Sequence, residues 1–474
     1  MRNPQQQRNT YLYETIAGNL THQIHSGVLI SGDKLPSIRE ICQQYRVSMS
    51  TALQAYYLLE IKNLIHSVPK SGYYVCYINP TNALPNKSNP SLYLGNEDTS
   101  NIVSKVYDSI SSDHIMLSLG VPAAELLPLS KLNKAFSYTL HHHAAHGSGY
   151  EHVMGNPKLR RQIARLSANW GGKLTENDIM TTAGCTGAML QAIIALTKRG
   201  DTIAVESPVY FGILQLALSL GLKVLELPTH PETGIEIDAL KIALSKNKVK
   251  LCLLISNFSN PMGGTIPSEN KKEIVRLIEH YQIPLIENDM YGDLYFGAER
   301  PENCKTYDES GLVLLCSSFS KTLAPGYRVG WLTPGKFAEQ IRRVKFATAI
   351  SSTTLTQEAV ACFLEKGRYE SHLKKLRITL NNNCLNYMEA ISNYFPKGTK
   401  ISRPQGGFML WVELDPKINT AGLYDKTIKM KISIAPGRMF TLQNQYNNCL
   451  RLSYGLPWTN QINNAIKTIG NLIR

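Results

Sequence analysis

The chain has 474 residues, 43% of them hydrophobic and 18% charged, a globular composition that excludes a disordered or collagen-like chain and is long enough for more than one domain. Its net charge of +14 favours an anionic partner without naming one. No apolar run approaches the roughly 20 residues of a membrane span, and nine scattered cysteines without a CxxC pair indicate a cytoplasmic protein with reduced thiols and no metal site.

The first part of the chain predicts three helices followed by two short strands. Apolar residues recur at helical spacing over 11–26, which predicts the first helix. Ser37 begins a capping box for the second helix, and Ser48 caps the third. The turn 69–72 separates two strand-like runs. This order predicts a winged helix-turn-helix domain over residues 8–78.

A polar segment, 79–113, follows and is predicted to be a linker because its many Asn, Ser and Pro residues cannot build a core. From residue 114 to 474, short β-rich runs alternate with helical stretches. Several runs, such as Leu251–Ile255, are apolar throughout, as strands buried on both faces must be. The fold class is therefore α/β, with a mainly parallel sheet flanked by helices and a smaller C-terminal α+β lobe over about 350–474.

The N-terminal domain resembles the winged helix of GntR-type bacterial regulators. The resemblance rests on the pieces LPS-x-RE and VS-x-x-T between residues 35 and 51. It implies a recognition helix in the major groove of DNA and a wing near the minor groove. It assigns DNA contacts to the starts of the second and third helices and to the wing tip: Arg39, Ser48, Ser50, Thr51, Lys70, Ser71 and Gly72.

One position in this domain departs from the family. Met49 stands where relatives usually carry arginine, so a bidentate guanine contact is missing. Leu53 also stands where some relatives have arginine. We therefore expect weaker or differently specified DNA binding, and a winged helix used only for protein contacts is the alternative.

A second motif, Ser317–Trp331, places a lysine between small hydroxyl residues and seven positions before the arginine of a PG-x-R-x-G-W run. It resembles the lysine motif of fold-type I aminotransferases, and the resemblance implies pyridoxal 5'-phosphate as the cofactor. Lys321 would react with the cofactor aldehyde, so its amine must be close to the aldehyde and neutral. Arg328 and the hydroxyl of Ser318 suit the phosphate dianion.

Other positions match the same family. Residues 182–187 follow a strand and begin a helix, which is a phosphate cradle at a helix N-terminus. The resemblance assigns these further cofactor contacts: Gly184, Cys185, Thr186, Tyr210, Asn260, Tyr291 and, across a dimer interface, Tyr150. It assigns Arg451 to a substrate α-carboxylate, which suits a planar guanidinium, and Gly120 to the same pocket. A core role for Tyr210 and a structural role for Arg451 are the alternatives.

The strand before Tyr291 departs from this second family. Relatives carry an aspartate three residues before that tyrosine, where it pairs with the pyridine nitrogen and makes the ring an electron sink. Here the position is Asn288, and strand alternation points the neighbouring Asp289 to the other face. Either a small shift brings Asp289 in or Asn288 occupies the site. Because asparagine cannot supply the charge, we expect the protein to bind the cofactor but to catalyse carbanion chemistry weakly.

A GntR-type winged helix, a polar linker and an aminotransferase-like domain in this order resemble the MocR family of regulators over nearly the whole chain. The resemblance implies a cytoplasmic homodimer that binds operator DNA and senses pyridoxal phosphate, an amino acid or an amine. Two alternatives stay open: an active aminotransferase acting on an amino acid, and a binding protein whose cofactor site is vestigial.

Overall fold

The computed structural model describes residues 11–474, except 26–27, 31, 63, 69–70, 77–81, 92–93, 96, 98, 112, 143–147 and 247. The chain divides into two compact units: the first runs to Thr81 and includes the short segment Phe296–Ala298, and the second contains the rest. Each unit is described by itself below. The domain boundaries at residues 78 and 113 stay predictions. None of the described helices is both long and apolar enough to cross a membrane.

The first unit has the predicted order of three helices and a strand pair. Its elements are α1 (Leu12–His25), α2 (Ile38–Tyr45), α3 (Met49–Ile61), β1 (Ile65–Val68) and β2 (Gly72–Val75). Ser37 and Glu40 form the capping box that begins α2, and Ser48 caps α3 by accepting the amide of Thr51. The two strands pair antiparallel. The expected winged helix-turn-helix fold is thereby confirmed.

The second unit is built on a seven-stranded sheet with helices around it. Its helices are α4 (Ser100–Asp108), α5 (Leu129–His142), α6 (Pro157–Ser167), α7 (Gly184–Leu196), α8 (Phe211–Ser219), α9 (Ile237–Ser245), α10 (Ser268–Tyr281), α11 (Ala338–Ala349), α12 (Thr354–Glu365), α13 (Tyr369–Tyr394), α14 (Thr420–Thr427) and α15 (Asn460–Ile473). Its strands are β3 (Ile115–Met116), β4 (Met180–Ala183), β5 (Thr202–Glu206), β6 (Lys223–Leu227), β7 (Thr229–His230), β8 (Gly234–Ile235), β9 (Val249–Leu254), β10 (Leu285–Asn288), β11 (Val313–Ser318), β12 (Val329–Thr333), β13 (Lys400–Ile401), β14 (Met409–Glu413), β15 (Ile432–Ser433), β16 (Ala435–Pro436) and β17 (Cys449–Ser453).

The large sheet has the strand order β4-β12-β11-β10-β9-β5-β6. Only β12 runs against its neighbours, so the sheet is mainly parallel, as predicted. Its strands are buried on both faces: in β5, Ile203 and Val205 join one apolar cluster and Ala204 joins the other. A smaller antiparallel sheet, β13-β14-β17-β16, forms the C-terminal α+β lobe.

The segment predicted to be a linker belongs, from Asn82 onward, to the second unit and packs within it. We call its described residues between 82 and 111 the docked segment. Asn86 donates its side-chain amide to Glu413 of the small sheet at 2.8 Å, and the Ser88 hydroxyl accepts the Thr229 amide at 2.7 Å. Helix α4 of this segment contacts α14 through an ion pair between Lys105 and Asp425. The polar residues that favoured a linker thus supply hydrogen bonds that hold the segment in place.

Candidate cofactor and ligand site

A cavity of about 200 Å³ lies where β4, β5, β9 and β10 end, at the carboxyl edge of the large sheet. Crevices at this edge are where open α/β sheets bind ligands. It is lined by Tyr107, Gly120, Val121, Cys185, Thr186, Tyr210, Ile255, Asn260, Asn288, Met290, Tyr291, Ser320, Lys321, Arg328 and Arg451. The fold thus brings most of the predicted cofactor and ligand residues together, from positions far apart in the sequence.

Lys321 reaches the cavity from a single turn of 3-10 helix, Phe319–Lys321, that directly follows β11. Its amine donates to the carbonyl oxygen of Gly120 at 2.5 Å. Loss of hydration in the cavity, together with the nearby Arg451 guanidinium, lowers the pKa of Lys321 to about 8. A lysine with so low a pKa has an accessible neutral amine, which a nucleophile toward a carbonyl group requires.

The start of α7 forms an anion cradle. Gly184 has φ +77°, and a Cβ there would lie 2.4 Å from Nη2 of Arg328, so the close approach requires glycine. Arg328 donates to the Ala183 carbonyl at 3.1 Å and lies 3.5 Å from the Ser320 hydroxyl. A guanidinium beside the first amides of a helix is the chemistry that holds a phosphate.

Ser318 lies outside the cavity lining, and its hydroxyl accepts the amide of Ser320 at 3.4 Å. It therefore caps the turn that carries Lys321, and its contact with a phosphate stays a prediction. Ser320 lines the cavity and lies near Arg328. The sequence argument missed Ser320, although it is one of the small hydroxyl residues of the lysine motif.

The side chains of Asn288 and Asp289 point to opposite sides of the end of β10. Asn288 lines the cavity, whereas the Asp289 carboxylate pairs with Arg300 and accepts the side-chain amides of Asn257 at 3.2 Å and Asn303 at 3.3 Å. All of these groups are buried or nearly so, so Asp289 is held away from the cavity. Of the two alternatives left open at this position, the neutral Asn288 is the residue on the cavity and Asp289 is not, and the contact of Asn288 with a cofactor stays a prediction.

Arg451 lies on β17 at the base of the cavity and is only 1% exposed. Its guanidinium donates to the Asn260 side-chain oxygen at 2.9 Å and to the Ser118 carbonyl, and its Nε has no hydrogen-bond partner among the described residues. The ring of Phe440 lies 5.1 Å from its Cζ. A buried guanidinium without a carboxylate partner is costly unless an anion binds it.

The remaining predicted residues of this site divide between the cavity wall and the surface. Tyr210, just before α8, and Tyr291 both line the cavity, and the Asn260 amide donates to the Tyr291 hydroxyl at 3.3 Å. Tyr150 is 83% exposed and lies outside the lining, so its contact with a second subunit stays a prediction. Tyr107, on α4 of the docked segment, also lines the cavity, and the sequence argument missed it because it assigned this segment to a linker.

The predicted DNA-binding residues of the first unit lie at its surface. Arg39 and Ser50 are exposed, and the Ser48 hydroxyl lies 2.7 Å from the hydroxyl of Ser50 and 2.8 Å from that of Thr51. Met49 is also exposed. These side chains form the predicted contact face at the start of α3.

The wing tip carries the other predicted DNA contacts. The Ser71 hydroxyl lies 2.7 Å from that of Tyr74. Gly72 has φ +125°, a conformation that glycine adopts without strain. Lys70 lies outside the described residues, and its DNA contact stays a prediction.

Two family models together match nearly all of this chain. Residues 113–469 match aminotransferase class I and II, and residues 12–75 match bacterial regulatory proteins of the gntR family. Among solved structures, Pyrococcus horikoshii kynurenine aminotransferase is similar at a TM-score of 0.74 and 25% identity, over 79% of this chain and 94% of that chain.

Two relatives extend over both parts of the chain. The uncharacterised HTH-type transcriptional regulator YjiR of Escherichia coli (strain K12) is 36% identical over 97% of this chain and 98% of its own. The uncharacterised HTH-type transcriptional regulator YdcR of the same strain is 33% identical over 98% of this chain and 99% of its own. The chain therefore belongs to the MocR-type family of regulators, in which a GntR-type winged helix is fused to an aminotransferase-like domain.

Proposed function

We propose that this protein is a transcriptional regulator that binds operator DNA through its winged helix and binds pyridoxal 5'-phosphate and an amino-acid or amine ligand in its second unit. The observation that carries the proposal is one cavity that combines Lys321, Arg328 and Arg451 with the neutral Asn288. The cations suit a phosphate and a carboxylate. The neutral amide in place of an aspartate favours binding over turnover.

Pyridoxal 5'-phosphate fits the residues that line the cavity. Gly184 leaves room for Arg328 beside the start of α7, which suits the phosphate, and the low pKa of Lys321 suits an aldehyde. Asn260 and Tyr291 would bond the ring hydroxyl, and Tyr210 would lie against the ring. When bound, this cofactor supplies a reversible covalent attachment for amino groups.

The active-aminotransferase alternative is less well supported. A carboxylate beside the ring nitrogen keeps that nitrogen protonated, and Asp289, the nearest carboxylate in sequence, is bound by Arg300 away from the cavity. Asn288 can hydrogen-bond but carries no charge. The residues therefore support holding a cofactor and a ligand more than they support withdrawal of electrons from the ligand.

Ligand binding would reach the DNA-binding part through the docked segment. Tyr107 of this segment lines the cavity. In the same segment, Ser88 accepts the amide of Thr229, and Asn86 donates to Glu413 of the small sheet. A ligand that changes the position of the small lobe would change how often the docked segment keeps these hydrogen bonds. This shift between conformations would alter DNA binding.

We also propose that the protein acts in the cytoplasm as a homodimer. Two winged helices would bind two half-sites of an operator, since dimer symmetry matches operator symmetry. The strongly exposed Tyr150 would then lie at the subunit interface and reach the partner's cofactor.

The visible absorption spectrum of the purified full-length protein tests the cofactor part. We expect a band of the bound cofactor in the wild type that survives dialysis and is trapped covalently by borohydride, and its loss in Lys321→Ala. Lys336→Ala, at an exposed lysine outside the cavity, is the control and should keep the band. A wild type without the band after addition of pyridoxal 5'-phosphate contradicts the proposal.

Selection of bound fragments from random DNA by the full-length protein tests the regulatory part. We expect enrichment of a two-fold symmetric sequence, and its loss in Arg39→Ala with an unchanged melting temperature. Recovery of no enriched sequence contradicts DNA recognition and favours a winged helix that contacts proteins.

A further inference from the structure

We propose that the ligand of the cavity is an α-amino acid with an uncharged, mainly apolar side chain, and that Tyr107 and Val121 contact this side chain. The inference rests on the proposed function, because it assigns the cofactor to the same cavity. It names the class of ligand, which the family resemblance leaves open between amino acids and amines.

The charges in the cavity favour a ligand with one carboxylate and no further charge. Three lining side chains are cationic, Lys321, Arg328 and Arg451, and no aspartate or glutamate lines the cavity within the described part of the chain. Arg328 lies at the start of α7, where the phosphate fits, and Lys321 is the amine that the cofactor requires. Arg451 therefore remains for the ligand carboxylate. A ligand with an acidic side chain would have no further cation to pair with, and a ligand with an ammonium side chain would have no carboxylate. Burial of either unpaired charge would be costly.

The segment 118–121 fixes where the amino and carboxylate groups lie. The Ser118 carbonyl accepts from Arg451, and the Gly120 carbonyl accepts from Lys321. These two carbonyls are two residues apart, which is roughly 7 Å at most along an extended chain. Arg451, which would bind the carboxylate, and Lys321, beside which the ligand amine would lie, are therefore close together. A carboxylate and an amine on one carbon atom, as in an α-amino acid, fit this spacing.

The buried and exposed parts of the lining differ in chemistry. The base holds buried polar groups, with Arg451 1% and Asn260 3% exposed. Tyr107 and Val121 also line the cavity but are 37% and 38% exposed, so they form an apolar rim. A ligand bound at its base through Arg451 would direct its side chain toward this rim, where burial of apolar surface stabilises binding.

Tyr107 is held in position by packing and not by its hydroxyl group. Its ring meets Phe211 edge-on at 5.5 Å, and Lys105 on the same helix pairs with Asp425. Its hydroxyl forms no hydrogen bond with the described residues, so the ring is the part that would contact the ligand. The aromatic face is accordingly expected to matter more than the hydroxyl.

The test uses full-length protein loaded with pyridoxal 5'-phosphate and titrated with L-leucine, L-phenylalanine, L-glutamate and L-lysine. Binding is followed by calorimetry and by the change in the cofactor absorption band. We expect L-leucine or L-phenylalanine to bind about tenfold or more tightly than L-glutamate and L-lysine, which corresponds to about 1.4 kcal/mol. Tightest binding of L-glutamate or L-lysine, or no binding of any of the four while the cofactor band is present, would overturn the inference. A missing band overturns the proposed function, and this inference with it.

Two variants at Tyr107 separate its role from a general effect on folding. Tyr107→Phe should bind L-phenylalanine like the wild type, whereas Tyr107→Ala should lose about tenfold in affinity while keeping the cofactor band. Tyr138→Ala is the matched control, because Tyr138 is also a partly exposed tyrosine, at 45%, and lies outside the cavity lining. Unchanged affinity in Tyr107→Ala, or an equal loss in Tyr138→Ala, would remove Tyr107 from the site.

Discussion

The side-chain oxygen of Asn288 accepts a hydrogen bond from the thiol of Cys185 at a sulfur–oxygen distance of 3.4 Å. Burial raises the pKa of Cys185 to about 12, so the thiol stays protonated and can donate this bond near neutral pH. The amide nitrogen of Asn288 lies 3.7 Å from the Met189 sulfur. The two side chains that these contacts place beside Asn288, Cys185 and Met189, are therefore neutral.

Replacement of Asn288 by aspartate tests whether this neutral wall limits the chemistry. In Asn288→Asp, a carboxylate beside the ring nitrogen would favour its protonated form and so assist removal of the ligand α-hydrogen. We expect hydrogen–deuterium exchange at the α-carbon of L-leucine, followed by NMR in deuterated water, to accelerate by about tenfold or more. Asp289→Asn serves as the comparison, since Asp289 lies off the cavity, and it should not accelerate exchange. An equal rate in Asn288→Asp and wild type would show that the amide is not what limits the reaction.

The pKa of Lys321 predicts how cofactor capture depends on pH. Desolvation and Arg451 lower this pKa from 10.5 to about 8, so roughly a tenth of the amine is neutral at pH 7 and most of it is neutral above pH 9. We expect the capture rate of pyridoxal 5'-phosphate by cofactor-free protein, followed by stopped-flow absorption, to rise with pH and reach its midpoint near 8. A midpoint near 10 would mean that Lys321 titrates like an ordinary surface lysine.

Features set by a few neighbouring residues could be predicted from the sequence. The capping box of Ser37 and Glu40 and the cap of Ser48 depend on hydrogen bonds within three positions, and both are present. The lysine motif also specifies its own surroundings, because Lys321, Ser320 and Arg328 lie within one short loop between β11 and β12. Local chemistry of this kind is visible in the sequence without a fold.

Features set by distant contacts could not be predicted in the same way. Tyr107 belongs to a segment whose composition is that of a linker. It lines the cavity on a helix, α4, that contacts distant residues: Tyr107 packs on Phe211, and Lys105 pairs with Asp425. The choice between Asn288 and Asp289 likewise depends on Arg300, which approaches from a separate loop. Strand alternation indicated the outcome, but the partner that holds Asp289 away could be identified only from the structure.

Arg300 is predicted to be essential for stability. It is buried and pairs with two carboxylates, Asp289 and Asp293. In Arg300→Ala both acids lose this partner, so we expect the free energy of unfolding, measured by urea denaturation, to fall by about 3–5 kcal/mol. Arg276→Ala is the control, because Arg276 pairs with Glu273 at the surface and its loss should leave the free energy of unfolding nearly unchanged. Equal effects of the two substitutions would contradict a structural role for the Asp289–Arg300 pair.

Replacement of the exposed Met49 by arginine is expected to strengthen DNA binding. It begins α3 and is 56% exposed, at a position where an arginine could bind a guanine edge or a phosphate. We expect Met49→Arg to tighten binding to a selected DNA fragment by about tenfold at low salt, and to steepen the dependence of log K on log salt by about one unit. Val28→Arg adds the same charge at a residue that is 71% exposed in the same unit but lies outside the predicted contact residues. Binding is measured by fluorescence anisotropy at several salt concentrations. An equal gain in both variants would mean that net charge alone increases affinity and that the start of α3 does not meet the DNA.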